Sequence, residues 1–576
     1  MDNSNNVNTK LSQYDFMYES SKKYSGKVAL SYQVPDVGKT IDITYEEMYE
    51  KIDQYARALT KYGIKRGDKV ATCLFNTPES VYLIYALNKI GVTNIGLSPL
   101  VNSEGMTEDL LMTKPDVIIT MDTFYPLFKG ENTQQFNGLV FTPVDSYNGL
   151  IRAGYNLKVS KKMGIDKKSK LSYVLDKGKN FEFSDYGLTA PDFTSDVLFT
   201  SGSTGIHKGV ELTNENFNES VVGMTEIYKG YISPWKTHLI QIPIGHMTYG
   251  RAILHYALSQ GMKAALSLKP APDDFYDELM RTKANDCAGG PPHFRSLIME
   301  QDGKLIINPK LVKGSLSELK FATSGGEEQR IRDLDAINSA FEYCGSTAKL
   351  GNGLGATEAT GPFIVNNGSR GYKAILGVPI PSLRTKLVNP ETNEINDREG
   401  ELHISGPVVM KGYYNNQEET DKVLYYDEDG TRWFKTGDIV SRDGDKYSYV
   451  SRLKRNYVCD ITNVYPEQIE SVLESIPEIR EAVVVPVPDN ERQFVSKYYI
   501  SLFDINSATK EFEDRICSII EKKLHVSYLP GYIEYTDKPL VRNGSTKKDI
   551  KFYRQDALKE LEKAKQKKLQ GFHGEN

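Results

Sequence analysis

The chain has few cysteines, and none is placed to form a disulfide framework or a metal site. Only 5 of its 576 residues are cysteine, no two lie in a CxxC pair, and the eight histidines lack the spacing of metal ligands. Scattered cysteines are typical of a reducing compartment and argue against structural disulfides and zinc. The five are Cys73, Cys287, Cys344, Cys459 and Cys517.

Two further absences narrow the class of protein. Residues 1–6 are polar with no apolar core, so they predict no signal peptide, and no apolar run reaches the ~18 residues of a membrane span. The 71 basic and 76 acidic residues give a net charge of −5, without the basic excess typical of nucleic-acid binding. The composition predicts a cytoplasmic globular protein without nucleic acid as a partner.

The most distinctive segment present is residues 200–209, Thr-Ser-Gly-Ser-Thr-Gly-Ile-His-Lys-Gly, which follows a short apolar stretch typical of a buried strand. Glycine lets backbone N–H groups approach an anion closely, the hydroxyls add donors, and Lys208 adds a mobile positive charge. The spacing is neither that of a P-loop nor that of a dinucleotide fingerprint. The segment therefore predicts a polyphosphate site outside the kinase, GTPase and dehydrogenase classes.

The first half of the chain alternates strand-like and helix-like segments. Residues 69–75 and 117–120 predict strands and residues 80–90 a helix, a pattern typical of α/β layers with a mainly parallel sheet. Residues 157–190 are polar with weak periodicity and predict a surface connection. A charged segment at 451–456 predicts the boundary before a C-terminal domain of roughly 120 residues, so we divide the chain into 1–452 and 453–576.

Five isolated features have both a functional and a structural interpretation. Glu358, after a glycine turn, suits a magnesium ligand or a capped helix start. Asp438, in Thr-Gly-Asp, suits a ribose diol or a turn. His246 lies in an apolar segment, where a buried structural histidine is the usual outcome. The pair at 325–326 could line a base or make a turn, and the lysines at 547–548 could reach an active site or lie in solvent.

Taken in order, these segments resemble the adenylate-forming superfamily of acyl- and aryl-CoA synthetases, amino-acid adenylation domains and firefly luciferase. The similarity runs from about residue 43 to the basic C-terminal region. It rests on TSGSTGIHKG at 200–209, LGATE at 354–358, TGD at 436–438 and the segment at 451–470. The resemblance implies a large N-terminal α/β domain of layered sheets and helices, with a small mobile α+β C-terminal domain.

The resemblance also implies a two-step reaction that uses ATP and Mg²⁺. A substrate carboxylate attacks the α-phosphorus and gives acyl-AMP and pyrophosphate, and a thiol then takes the acyl group. The expected acceptor is CoA, with a carrier protein's phosphopantetheine as the alternative. Residues 245–250 contain no aspartate to pair a substrate ammonium, so a fatty or aryl acid is favoured over an amino acid.

Site residues are carried over from the matching motifs. The expected phosphate-binding residues are Thr200, Ser201, Gly202, Ser203, Thr204, Gly205 and Lys208. Thr357 would contact the AMP phosphate, and Glu358 with Thr204 would hold magnesium. Asp438 and Arg452 would bind the ribose. Gly325, Gly326, Leu354 and Gly355 would flank adenine, and His246 would lie at the acyl pocket. Lys454 would be the hinge, and Lys547 the catalytic lysine.

This chain departs from the family pattern at several of these motifs. Leu354 replaces an aromatic residue, and Ser451 replaces the hinge glycine. Ile461 and Thr462 stand where the family has glycine and a bulky residue, near the path of the thiol. The lysine expected directly after glycine is Ser545 here, so we choose Lys547, with Lys548 as the alternative.

Three functions follow from these patterns. The first is an ATP-dependent ligase that joins a carboxylic acid to CoA. The second is an acyl-AMP ligase that loads a carrier protein, which the change at Ile461 favours. The third is a non-catalytic relative that binds nucleotide or acyl-AMP, which the departures favour and the intact Lys208, Glu358, Asp438 and Arg452 oppose.

Overall fold

A computed structural model describes most of the chain. The described residues are 8–34, 38–100, 103–128, 137–147, 149–158, 164–182, 192–200, 208–229, 236–301, 304–326, 329, 331–366, 376–459, 462–489, 492–524, 526–542 and 547–572. The helices, in chain order, are α1 Gln13–Ser21, α2 Tyr45–Tyr62, α3 Pro78–Ile90, α4 Ser103–Thr113, α5 Gly149–Lys158, α6 Leu171–Gly178, α7 Asn214–Ile227, α8 Thr248–Ser259, α9 Phe275–Thr282, α10 Pro291–Arg295, α11 Ile331–Tyr343, α12 Gln417–Val423, α13 Pro466–Glu474, α14 Lys510–Lys523 and α15 Ile550–Phe572.

The strands are short and distributed over the whole chain. In chain order they are β1 Val28–Gln33, β2 Thr40–Thr44, β3 Lys69–Cys73, β4 Thr93–Gly96, β5 Val117–Met121, β6 Gly138–Phe141, β7 Thr194–Thr200, β8 Lys208–Thr213, β9 Thr237–Ile240, β10 Lys263–Leu266, β11 Asp286–Gly289, β12 Ile298–Gln301, β13 Lys304–Ile307, β14 Phe321–Ser324, β15 Leu350–Ala356, β16 Gly361–Val365, β17 Val378–Pro379, β18 Arg384–Val388, β19 Ile395–Asn396, β20 Glu399–Ser405, β21 Gly412–Tyr413, β22 Leu424–Tyr426, β23 Arg432–Asp443, β24 Lys446–Arg452, β25 Tyr457–Cys459, β26 Thr462–Val464, β27 Ile479–Asp489, β28 Gln493–Leu502 and β29 Pro530–Thr536.

Two large, mainly parallel sheets form the first part of the molecule. One has the order β21-β8-β7-β4-β3-β5-β6, and the other has the order β17-β16-β15-β14-β11-β9-β10-β1-β2. The largest hydrophobic cluster includes residues of both sheets and of α1, α2, α3, α7 and α8. The predicted α/β fold with a mainly parallel sheet is confirmed, because helices cover parallel strands in alternating layers.

Two further sheets follow along the chain; the first is antiparallel, and the second is antiparallel except for its parallel pair β28–β29. The first has the order β19-β18-β20-β23-β22, with β24 paired to β23, and the second has the order β26-β25-β28-β27, with β29 paired to β28. The second sheet packs with α13 and α14 around its own hydrophobic cluster. All its strands lie after residue 456, while the boundary at 452–453 itself stays a prediction. No described helix is long and apolar enough to cross a membrane.

Local sequence signals explain where the helices begin and end. The Thr44 side chain and Glu47 form a capping box at the start of α2, and Gly63 ends that helix in the left-handed conformation at φ 117°. The prediction of a surface connection at 157–190 is wrong in part. That segment contains α6, whose Leu171 and Val174 are buried and whose Gly178 packs on Ala58 of α2.

Candidate active site

A buried acidic side chain lies at the centre of the candidate site. Asp438 on β23 is directly opposite Arg452 on β24 in the strand register, and Arg452 Nε lies 2.8 Å from Asp438 Oδ1. Directly opposed residues of an antiparallel pair bring their side chains together on one face. Within the described residues, neither carboxylate oxygen of Asp438 accepts a well-directed hydrogen bond. A buried carboxylate whose oxygens accept no well-directed hydrogen bond fits a ligand with hydroxyl groups.

Burial raises the pKa of Asp438 to about 6, and the Arg452 guanidinium opposes that rise. Glu358 raises the same pKa through its negative charge, whereas Lys547 lowers it. These charges come from parts of the chain far apart in sequence. The fold therefore brings Asp438, Arg452, Glu358 and Lys547 within electrostatic reach of one another.

Glu358 and Thr357 lie in a one-turn 3₁₀ helix between β15 and β16. The Tyr413 hydroxyl donates to Glu358 Oε1 at 2.8 Å, and the Met410 N–H donates to the Glu358 carbonyl at 2.8 Å. Among described residues the second carboxylate oxygen of Glu358 has no hydrogen-bond partner. A held carboxylate with one oxygen available fits the donor set that magnesium takes alongside phosphates.

The predicted phosphate loop lies largely outside the described residues, including Ser201, Gly202, Ser203, Thr204 and Gly205. Its two ends are described, and Thr200 and Lys208 pair across β7 and β8.

Lys208 makes an ion pair that its sequence context does not predict. Its ammonium group contacts the Glu419 carboxylate and lies 4.7 Å from the centre of the Tyr413 ring. Hydrogen bonds from Lys208 and Lys422 lower the pKa of Glu419 to about 2. Glu419 follows Lys208 by 211 residues, so only the fold reveals the pairing.

The structure separates the two candidate lysines near the C-terminus. Lys547 Nζ donates to the Gly326 carbonyl at 2.8 Å, in the loop after β14. Lys548 Nζ instead donates to Glu474 Oε1 at 2.8 Å and to the Ala482 carbonyl at 2.7 Å. Lys547 therefore reaches the candidate site, whereas Lys548 is held within the C-terminal part of the chain.

The predicted adenine-flanking residues lie on β15 and in the loop that follows its neighbour β14. Gly325 and Gly326 follow β14, and Gly326 has a φ of 87° that other residues rarely adopt. A Cβ atom on Gly325 would lie 3.5 Å from the Tyr249 ring, so this loop and α8 are in close contact. Leu354 on β15 is buried in a hydrophobic cluster, and Gly355 follows it.

His246 lies in the loop before α8. Its imidazole is buried, its Nδ1 has no hydrogen-bond partner among the described residues, and burial lowers its pKa to about 4. The ring is therefore neutral at neutral pH. The Gly245 carbonyl would lie 2.4 Å from a Cβ on Gly96, so this loop packs tightly on the end of β4.

The predicted hinge falls between the last two sheets. Residues 453–455 form a 3₁₀ turn, and the Ser451 hydroxyl donates to Asn456 Oδ1 at 2.9 Å. The side chains of Lys454 and Thr462 lie outside the described part of the structure, as do residues Ile461 and Ser545.

The sequence reasoning missed two side chains of this site, Tyr413 and Glu419. Both lie in the segment 412–420, whose Gly-Tyr-Tyr start resembles the family but carries no obvious chemistry of its own. Their contacts with Glu358 and Lys208 arise because β21 pairs with β8 and α12 follows β21. Contacts between residues so far apart in the sequence cannot be predicted from the spacing of residues within one motif.

The chain belongs to the AMP-binding enzyme family. The family's sequence profile matches residues 17–414, more than half of the chain. This match confirms the resemblance inferred from the phosphate loop and the motifs that follow it.

Named relatives share about a quarter of their residues with the chain. A probable CoA ligase of Humulus lupulus is 26% identical over 512 residues, covering 87% of this chain and 86% of the relative. A long-chain-fatty-acid–CoA ligase of Bacillus subtilis is 26% identical over 502 residues, covering 84% of each.

Solved structures of low identity share the fold. ATP-bound MatB of Rhodopseudomonas palustris has a TM-score of 0.77 at 20% identity, covering 95% of this chain and 98% of that one. The anthranilate CoA ligase AuaEII, solved with anthranoyl-AMP, has a TM-score of 0.77 at 18% identity, covering 98% and 100%. These likenesses confirm the layered α/β fold with a large N-terminal and a smaller C-terminal domain.

The pKa of Asp438 predicts that nucleoside binding depends on pH. If the ribose hydroxyls donate to the ionised carboxylate, affinity is full above the pKa of about 6 and is lost as the pH falls through it. Adenosine, which carries no phosphate, should bind about tenfold more weakly at pH 5 than at pH 7. Calorimetry measures this change. 2′,3′-Dideoxyadenosine is the control and should show no such dependence, so equal pH profiles for the two nucleosides would exclude this role of Asp438.

Gly355→Ala tests the close packing behind Thr357 and Glu358. A Cβ atom at 355 would lie 2.7 Å from the Gly361 carbonyl oxygen, so β15 and β16 must separate. We expect kcat/KM for adenylation to fall on the order of tenfold to 100-fold, because small displacements of positioned groups cost that much. Gly154→Ala, with open space around the new methyl group, is the control. Equal activity of the two variants would contradict the prediction.

Proposed function

We propose that the protein activates a carboxylic acid with ATP and transfers the acyl group to CoA. The observation that carries this proposal is the buried carboxylate of Asp438, which accepts no well-directed hydrogen bond among described residues and shares its site with Glu358, Arg452 and Lys547. Membership of the AMP-binding family and the CoA ligases among its relatives support the same activity.

In the first step, a carboxylate oxygen of the acid attacks the α-phosphorus of ATP. The bond from that phosphorus to the bridging oxygen breaks, and pyrophosphate leaves with the electron pair. Negative charge builds on the phosphate oxygens, so cations and donors held near them lower the barrier most. Lys547 would meet this charge from the Gly326 side and Lys208 from the phosphate loop, with Thr357 on the α-phosphate.

The remaining residues would bind and orient the nucleotide. Asp438 would accept hydrogen bonds from the ribose hydroxyls, with Arg452 beside it. Gly325, Gly326, Leu354 and Gly355 would lie along adenine. Glu358, with Thr204 outside the described residues, would hold magnesium, which supplies positive charge against the polyphosphate when bound.

The acid would lie toward His246 and Tyr249. The His246 imidazole is neutral and buried, and the Tyr249 ring lies against Gly325, beside the Gly326 carbonyl that Lys547 contacts. Such neutral surroundings suit a fatty or aryl acid better than an amino acid, whose ammonium group needs a buried partner. In the second step the thiol sulfur attacks the acyl carbon, and AMP leaves with the electron pair.

Pyrophosphate exchange over a panel of fatty, aryl and amino acids tests this function. We expect exchange with at least one fatty or aryl acid, and an acyl-CoA ester when CoA is added. Product with a carrier protein but not with CoA would replace the acceptor in the proposal. Nucleotide binding without exchange for any acid would instead favour a non-catalytic relative.

A further inference from the structure

Two ion pairs hold the ends of the loop that carries Lys547. At one end Arg542 Nη2 lies 2.5 Å from Glu481 Oε2, and the Leu540 N–H donates to the other oxygen of Glu481 at 2.6 Å. At the other end Lys548 donates to Glu474 and to the Ala482 carbonyl. Glu481 and Ala482 are consecutive residues of β27, so both ends of the loop are attached to the same part of that strand.

Both ion pairs are partly buried. The Lys548 side chain is 21% exposed and the Glu474 side chain 8%, against 34% for Arg542 and 4% for Glu481. The Ala482 N–H also donates to Glu474 Oε1 at 3.0 Å, which fixes the carboxylate on the strand. A partly buried ion pair with further hydrogen bonds holds its geometry better than an exposed pair.

Backbone geometry connects this attachment to the direction of Lys547. Lys548 forms an antiparallel β-bridge with Arg542, and the chain bends at Lys547, directly before it. Holding Lys548 toward β27 and α13 therefore fixes the backbone from which the Lys547 side chain extends toward Gly326. The contacts of the two lysines agree with this, since Lys547 Nζ donates to the Gly326 carbonyl.

The attachment is also continuous with the turn at the predicted hinge. Lys548 Nζ lies 3.8 Å from Glu470 on α13, and Glu470 Oε1 lies 2.5 Å from Arg455 Nη2. Glu470 further accepts the Val484 N–H at 2.8 Å. Arg455, Glu470, Glu474 and Lys548 thus form one charged network within the C-terminal part of the chain.

We propose that Lys548 is a positioning residue, which fixes the chain next to Lys547 on Glu474 and Ala482 and so presents the Lys547 ammonium group to the adenylation site. This inference rests on the proposed function. It explains how the loop still presents Lys547, which lies two residues beyond the position directly after glycine where the family has its lysine. Lys548 acts through Lys547 and contacts no substrate.

A double-mutant cycle in the full-length protein tests the proposal. Lys548→Met should lower kcat of pyrophosphate exchange on the order of tenfold to 100-fold, with the KM values for ATP and acid nearly unchanged. In a Lys547→Ala background the same change should have almost no further effect, because the two residues act as one unit. Lys548→Arg, which keeps the charge, should restore most of the rate. Lys551→Met, an exposed neighbour on α15, is the matched control.

A labelling experiment gives a second readout that needs no activity. Acylation of Lys547 by a succinimidyl ester, followed by mass spectrometry of the peptide, should be several-fold faster in Lys548→Met than in Lys551→Met. Equal loss of rate from Lys548→Met in both backgrounds, or unchanged labelling of Lys547, would overturn the positioning role. Absence of exchange in the unmodified protein, with faster labelling in Lys548→Met, would refute the proposed function and keep the positioning role.

Discussion

Lys547→Ala is expected to slow adenylation about 10²–10³-fold, the range found when one preorganised donor to a transition-state oxyanion is removed. Lys547 comes from the C-terminal part of the chain, donates to the Gly326 carbonyl and lowers the pKa of Asp438 by its charge. Its ammonium group is therefore placed beside the expected nucleotide. Pyrophosphate exchange with the best acid of the panel measures the loss.

The two half-reactions should respond differently to this change. Thiol transfer from supplied acyl-AMP is an attack at the acyl carbon and not at the α-phosphorus, and the charge that AMP gains lies on the oxygen it shared with the acyl group, so we expect its rate to fall less than about threefold. Lys551→Ala, an exposed lysine on α15, controls for the loss of one positive charge. Equal losses in both half-reactions would assign Lys547 a role in folding or in general nucleotide binding instead.

The choice between Lys547 and Lys548 shows where sequence reasoning reaches its limit. The two lysines are adjacent, and although the spacing to Asp549 favours Lys547, it does not show which side chain reaches another part of the chain. The two lysines differ because Lys548 donates to Glu474 and to the Ala482 carbonyl, which lie 74 and 66 residues earlier in the chain. These contacts exist only in the folded protein, so the local sequence does not predict which lysine makes them.

The fold was easier to predict than the site. Buried strands such as β3 and capped helices such as α3 carry their own signals in apolar runs, Thr77 and Gly91. Segment 157–190 contains α6, because Leu171 and Val174 can be buried against α2. The polar composition of the segment hides this helix in the sequence. The Lys208–Glu419 pair depends on strand pairing across 211 residues and has no local signal.

One buried ion pair connects β7, the strand that leads into the phosphate loop, with α8 and with the loop that carries His246. Arg251 on α8 is almost fully buried, and its Nη1 lies 3.0 Å from Asp196 Oδ1 on β7, the strand that leads into the phosphate loop. Its Nε donates to the Ile244 carbonyl at 3.0 Å, two residues before His246. Asn94 and Gln13 also donate to Asp196, at 2.9 Å and 2.8 Å.

Arg251→Met is therefore expected to lower the free energy of unfolding by about 3–5 kcal/mol, the cost of removing one partner of a buried pair. Most of that cost comes from leaving the Asp196 carboxylate buried without its cation. Adding Asp196→Asn to this variant should recover part of the loss, because the uncompensated charge is then removed. Urea denaturation followed by tryptophan fluorescence measures all four proteins of the cycle.

Arg442→Met provides the matched surface control for this cycle. Arg442 Nη2 lies 3.4 Å from an Asp397 carboxylate whose side chain is 92% exposed, and exposed pairs contribute about 1 kcal/mol or less. A loss from Arg251→Met as small as that from Arg442→Met would show that Asn94, Gln13 and Ser195 satisfy Asp196 without the arginine. A large loss, partly recovered in the double variant, would show that the arginine ties the phosphate-loop strand to the His246 loop as one unit.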